Sequence, residues 1–200
     1  MKKLLALSIT LVALFAFAIA SPGVKNADIP APPAIGAVID DFTLLDADGK
    51  SHALSALEGK NGTVLIFVAT KCPVSNAYNE RMEKLAQDYK AKGINVVGIN
   101  SNAAELGPEI KAHAATNKLT FPILKDTGNK IADQLGATVT PEAFYLDASN
   151  KLMYRGRIDN AKDTAQVNTN ELRDALDAAV AGKPIAKTTA AAFGCTIKRA

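Results

Sequence analysis

Apolar and polar positions change period several times along the chain, and each change marks an element. Thr63 to Val68 and Ile94 to Ile99 are continuous apolar runs of strand length, the pattern of strands buried on both faces of a sheet. Between them Tyr78, Met82, Leu85 and Tyr89 recur at spacings of three and four, which predicts a helix from Val74 to Lys92 that stops at Gly93. The same reasoning predicts helices over Glu105 to Asn117, Asn129 to Leu135 and Thr169 to Ala181, the last ended by Gly182 and Pro184. Phe121 to Leu124 reads as a short strand. Ala143 to Leu146 and Leu152 to Arg155 read as two strands joined through a turn over Asp147 to Lys151. Upstream, Phe42 to Leu45, the Asp46-Ala47-Asp48-Gly49 turn and Lys50 to His52 predict a β-hairpin.

Strands that alternate with helices argue for an α/β layer with parallel neighbours, and the final strand pair for an antiparallel edge. The predicted organisation is a signal peptide over residues 1–20, an extended Pro- and Ala-rich linker over 21–34, one domain over 35–184, and a tail over 185–200 of weak periodicity. Residues 1–20 carry Lys2 and Lys3 before an apolar run that ends Ala18-Ile19-Ala20, a small-residue cleavage pattern. Export to a periplasmic or secreted location follows, with no stable membrane span after processing. Loss of Lys2 and Lys3 takes the formal net charge from +3 to +1. Neither value has the clustered basic charge that nucleic-acid or membrane-surface binding needs.

Two cysteines are too few for a disulfide scaffold, yet an oxidising compartment permits one bridge. Cys72 stands where the Thr63 to Val68 strand gives way to a helix, in Lys71-Cys72-Pro73-Val74-Ser75. Backbone N–H groups and the helix dipole favour a thiolate there, with Lys71 beside it and Pro73 at the first helical position. Ser75 takes the place of the second cysteine of a C-x-x-C pair and either turns its hydroxyl to the sulfur or serves the first helical turn. Any dithiol cycle must therefore use Cys195, the one other cysteine, across the flexible stretch Ile185 to Ala192. Gly194 allows the backbone a close approach there. Such a tail is expected to dock when oxidised and loosen when reduced.

The segments Phe67 to Asn76, Phe121 to Asp126, Leu135 to Asp147 and Tyr154 to Asp159, in that order, resemble the thioredoxin-like superfamily. The likeness is nearest to exported redoxins related to the AhpC/TSA and TlpA-like groups. The resemblance implies a central mixed sheet flanked by helices, with the hairpin as an N-terminal extension. It also implies a cis Thr140–Pro141 bond against the reactive cysteine, with the Thr140 backbone free to pair with an extended substrate chain. The site departs from each subgroup. Peroxiredoxins resemble one another in P-x-x-x-T/S-x-x-C, whereas Leu65 stands at the proline position and Ala69 at the Thr/Ser position, seven and three residues before Cys72.

Arg155 and Arg157 share strand spacing and read as solvated edge charges, Asp126 as a turn or cap residue, and the polar run Asp159 to Asn170 as a surface loop. His52 and His113 fall on different elements and read as surface imidazoles. No glycine-rich phosphate loop follows a strand, so no cofactor is expected and no metal set is assigned. The favoured reading is an exported thiol–disulfide oxidoreductase that acts on protein or small-molecule thiols and disulfides, with an external reductant as a further partner. Cys72 is its nucleophile and Cys195 or an external thiol resolves it; Lys71, Pro73, Ser75, Thr140 and Pro141 support the site. Soft-metal binding by the two sulfurs and peroxidase activity through a Cys72 sulfenic acid are the alternatives.

Overall fold

The computed structural model describes residues 30–199, so the signal peptide and most of the linker read from the sequence lie outside the described residues. A hairpin of β1 (Thr43–Asp46) and β2 (Ser51–Ala53) opens the domain. It is followed by β3 (Gly62–Phe67), α1 (Pro73–Ala77), α2 (Asn79–Lys90), β4 (Ile94–Asn100), α3 (Gly107–Thr116), β5 (Ile123–Lys125) and α4 (Lys130–Leu135). Then come β6 (Val139–Thr140), β7 (Glu142–Leu146), β8 (Leu152–Gly156), α5 (Glu171–Val180), β9 (Thr189–Ala190) and β10 (Cys195–Thr196).

Eight strands form one mixed sheet in the order β2-β1-β5-β4-β3-β7-β8-β9, and β6 and β10 form a separate two-stranded pair. The continuous apolar runs fall in the middle because only a central strand needs both faces apolar: all six residues of β3 are buried, as are six of the seven in β4. Val64 and Ile66 face a core built with Met82, Leu85 and Tyr89 of α2 and Leu172 and Leu176 of α5. Leu65 and Phe67 face the opposite core with Ile131 and Leu135 of α4, where Phe67 meets Phe144 edge-on at 5.6 Å between ring centres.

Several expectations change. The single helix from Val74 to Lys92 is two helices, because the chain turns at Tyr78, whose N–H closes a tight turn on Ser75 O and whose hydroxyl is buried on Asp159 Oδ1 at 2.8 Å. The third helix begins at Gly107 rather than Glu105, because the Glu105 side chain is taken up by the loop before Cys72. Asp159 is buried rather than part of a plain surface loop: its carboxylate takes two bonds from Arg81 Nη1 at 2.7 and 2.8 Å and one from Tyr78. Arg157, read as a solvated charge, is half-buried and ion-paired with Glu171.

The largest change concerns the tail, which is ordered. Strand β9 adds in parallel to β8, so β8 is not the sheet edge. Gly156 makes this possible, since a Cβ there would lie 1.9 Å from Ala190 O. Further along, the Phe193 ring packs edge-on against Tyr78, Ile197 is 2% exposed within the α4-side core, and Lys198 N–H donates to the Asn102 side-chain Oδ1 while Lys198 O accepts from Ala103 N–H. Weak periodicity misled because the tail crosses several elements in turn and buries single residues rather than a face.

Glu171 anchors the start of this path. It accepts from Arg157, from Lys187 Nζ at 3.2 Å and from Thr169 Oγ1 at 3.0 Å. Burial works to raise its pKa, but these donors outweigh it and hold the carboxyl near 2 against an ordinary 4.5. A carboxyl lowered in the fold contributes stability above its unfolded value and loses it as pH falls through the folded one. Unfolding free energy should therefore drop by about 2 kcal/mol between pH 4.5 and 2 through this group, and Glu171→Gln should remove that slope. Urea titrations at both pH values check it; equal slopes in the two proteins would refute it.

Candidate functional site: a cysteine pair at the cis-proline loop

Strand β3 delivers the chain to Cys72, which is the N-cap of α1 with Pro73 in the first turn. Ser75 N–H donates to Cys72 Sγ at 3.3 Å, while Ser75 Oγ turns away and accepts from Ala69 N–H at 3.1 Å. Ser75 thus serves the sulfur through its backbone and the preceding loop through its hydroxyl. On the far side, the Thr140–Pro141 bond is cis, and the Cys72 thiol donates to Thr140 O at 3.3 Å.

Thr140 is not free to pair with a substrate. Strand β10 already occupies it, in antiparallel register Cys195 to Thr140 and Thr196 to Val139. Gly194 permits the contact, because a Cβ at that position would stand 1.9 Å from Thr140 O. The tail therefore places Cys195 over Cys72, with both cysteines present as free thiols. Burial differs across the pair: Cys72 is 3% exposed, Cys195 partly exposed.

Burial alone would push the Cys72 thiol up. The Cys195 thiol, Ser75 N–H, the Thr140 hydroxyl and Cys195 N–H outweigh it and bring the Cys72 pKa below that of an ordinary thiol. The Thr140 hydroxyl is buried beside it and makes no hydrogen bond within the described residues. Cys195 moves the other way. It keeps its proton because that proton is donated to Cys72, and burial adds to the rise. Cys195→Ala removes the donor, so the midpoint of Cys72 ionisation should move to higher pH; ultraviolet thiolate absorbance during a pH titration reads it, and a midpoint that falls would refute the assignment.

Lys71 does not supply the cation expected of it. Its ammonium is mostly exposed and pairs with Glu109 at 3.0 Å rather than with the sulfur. The residue that acts on this loop is Glu105, which the sequence reading had placed in a helix. Its buried carboxylate accepts from Thr70 N–H at 2.7 Å, Lys71 N–H at 3.1 Å and Asn100 Nδ2 at 2.6 Å. The available signal was position: Glu105 follows the carboxyl end of β4, where α/β sheets gather their sites. Glu142 was also missed. Burial raises its pKa, and its Oε2 accepts from Thr138 N–H at 2.9 Å, steadying the strand that carries Thr140.

His52 and His113 stay apart from the sulfurs in their bonding: His52 pairs with Asp46 in the hairpin, and His113 contacts Asn79 and Asn117. Among the described residues no three His, Cys, Asp or Glu side chains converge as a metal-holding group. Asp126 is a cap, as read, accepting from Ile131 and Ala132 N–H at the start of α4.

Residues 35–155 match the profile of the AhpC/TSA family, which is more than half of the chain. The chain belongs to the AhpC/TSA family. Among its relatives, the thiol-disulfide oxidoreductase ResA of Halalkalibacterium halodurans is 32% identical over 113 residues, 56% of this chain and 62% of that protein. The match thus spans less than two thirds of that relative's length. A hypothetical protein of Sinorhizobium meliloti superimposes with a TM-score of 0.78 at 31% identity, covering 85% of this chain and 97% of the other. An uncharacterized conserved protein of Geobacillus kaustophilus gives 0.78 at 29% identity over 84% and 93% of the two chains. This AhpC/TSA domain has the thioredoxin-like architecture that its segment order implies.

Proposed function

We propose that the protein is a thiol–disulfide oxidoreductase whose working couple is Cys72 and Cys195. The observation that carries this reading is the seating of Cys195 beside Cys72 on the cis-proline loop, in a chain whose C-x-x-C position is Ser75. The tail supplies from a distance the second sulfur that the helix lacks. Opposite pKa displacements support an exchange role, since a stabilised thiolate is a good leaving group and its partner keeps the proton. Similarity to a protein named as a thiol-disulfide oxidoreductase points the same way. The proposed setting is outside the cytoplasm, with protein or small-molecule thiols and disulfides as partners; among the described residues no helix is long and apolar enough to cross a membrane.

The test is equilibration of the purified chain in glutathione buffers of graded potential, followed by acid quench and peptide mapping. A working couple gives a peptide linking Cys72 to Cys195 and a midpoint between about −120 and −270 mV. Two free thiols across the range, or a bridge that resists reduction below about −300 mV, would refute the reading.

A further inference from the structure

We propose that Cys195, rather than Cys72, is the sulfur that carries the partner in the mixed disulfide. This rests on the couple proposed above and assigns the order of events within it. Three observations carry it. Cys72 is enclosed by Ser75, Thr140 and the tail and is 3% exposed, whereas Cys195 is partly exposed on β10. The Thr140 backbone, where an extended partner chain would have to pair to reach Cys72, is already paired with Cys195. The tail is held well beyond the cysteine, by burial of Ile197, by Lys198 on Asn102 and Ala103, and by Arg199 on Asp133 at 2.9 Å and Ala137 O. A partner sulfur therefore meets Cys195 first. Phe193, two residues earlier, lines an open groove with Ala77, Ala161 and Thr164 on which a partner can rest.

In the oxidised chain a partner thiolate attacks Cys195 Sγ. The bond between the partner sulfur and Cys195 Sγ forms, the Cys72–Cys195 bond breaks, and the electron pair leaves on Cys72 Sγ, where Ser75 N–H and Cys195 N–H receive it. A second thiolate of the same partner attacks the partner sulfur, the partner disulfide forms, and Cys195 leaves and takes a proton from water. The partner loses two electrons and the couple gains them. A second, disulfide-bearing molecule restores the couple by the same steps in reverse, with the Cys72 thiolate attacking the disulfide between Cys195 and that molecule.

The experiment uses the full processed chain with glutathione as the probe. The chain is oxidised, mapped to show the Cys72–Cys195 peptide, treated with excess reduced glutathione, quenched in acid and mapped again. Glutathione is expected on Cys195 with Cys72 free. Glutathione on Cys72 with Cys195 free overturns the order and leaves the couple standing, whereas absence of the linked peptide at the start overturns the couple and this inference together. In parallel, the reduced Cys72→Ser and Cys195→Ser chains are mixed with oxidised glutathione. Cys195 in the first should react at least about tenfold faster than Cys72 in the second, because a buried thiol must wait for local opening. An equal or reversed ratio overturns the order.

Discussion

Gly194→Val is expected to uncouple the two cysteines while leaving both in the chain. A Cβ at residue 194 would stand 1.9 Å from Thr140 O, 2.7 Å from Thr140 C and 3.3 Å from Pro141 N, all backbone atoms that cannot move aside. Strand β10 must then leave β6, and Cys195 goes with it. Once the second sulfur is no longer held, its effective concentration falls, and closure of the Cys72–Cys195 bond should slow by roughly a hundredfold. Cys72 loses its cover at the same time, so its alkylation should accelerate. If Ile197 is drawn out of the core, up to about 2 kcal/mol of stability is lost as well. Rates of disulfide formation under a fixed glutathione buffer and of iodoacetamide labelling read both effects. An unchanged closure rate would show that β10 docking does not govern the pairing.

Glu105→Ala should give the second large effect, at the other end of the site. Its carboxylate satisfies Thr70 N–H, Lys71 N–H and Asn100 Nδ2, and alanine leaves all three without an acceptor. A buried donor that loses its partner costs about 1–3 kcal/mol, and water can reach the Thr70 and Lys71 amides in part, so a net loss of about 3 kcal/mol is expected. The loop that these amides belong to ends at Cys72, so the variant should also alter the Cys72 labelling rate. Glu105→Gln keeps one acceptor oxygen and should fall between. Urea unfolding followed by fluorescence or circular dichroism gives the stability, and a loss under about 1 kcal/mol for the alanine variant would remove Glu105 from the clamp.

Several of these features were within reach of the chain alone. The β3 and β4 runs were legible because a central strand leaves a one-dimensional mark, unbroken apolarity, and the hairpin because Asp-Gly marks a tight turn. Cys72 at a helix start followed from the strand-to-helix junction and from Pro73, and the absence of a second cysteine at Ser75 directed attention to Cys195. These properties are local, set by residues within a few positions of one another, and the sequence by itself determined them.

What brings the sulfurs together is not local. Cys195 reaches Cys72 because Gly156 admits β9 and Gly194 admits β10, and neither close approach has a signature in hydrophobic period. Lys71 shows the opposite failure. Adjacency in sequence suggested a cation for the thiolate, but a long exposed side chain follows the nearest carboxylate, and Glu109 lies on another element. Glu105 was hidden for the same reason, since its three donors come from two other segments. Unbroken apolar runs alternating with helical spacing, and a cysteine at a helix start, determined the layered fold and one sulfur of the site. Tertiary structure alone decided which proton that sulfur borrows, what covers it and which carboxylate holds its loop, because each depends on backbone approaches between segments up to 123 residues apart.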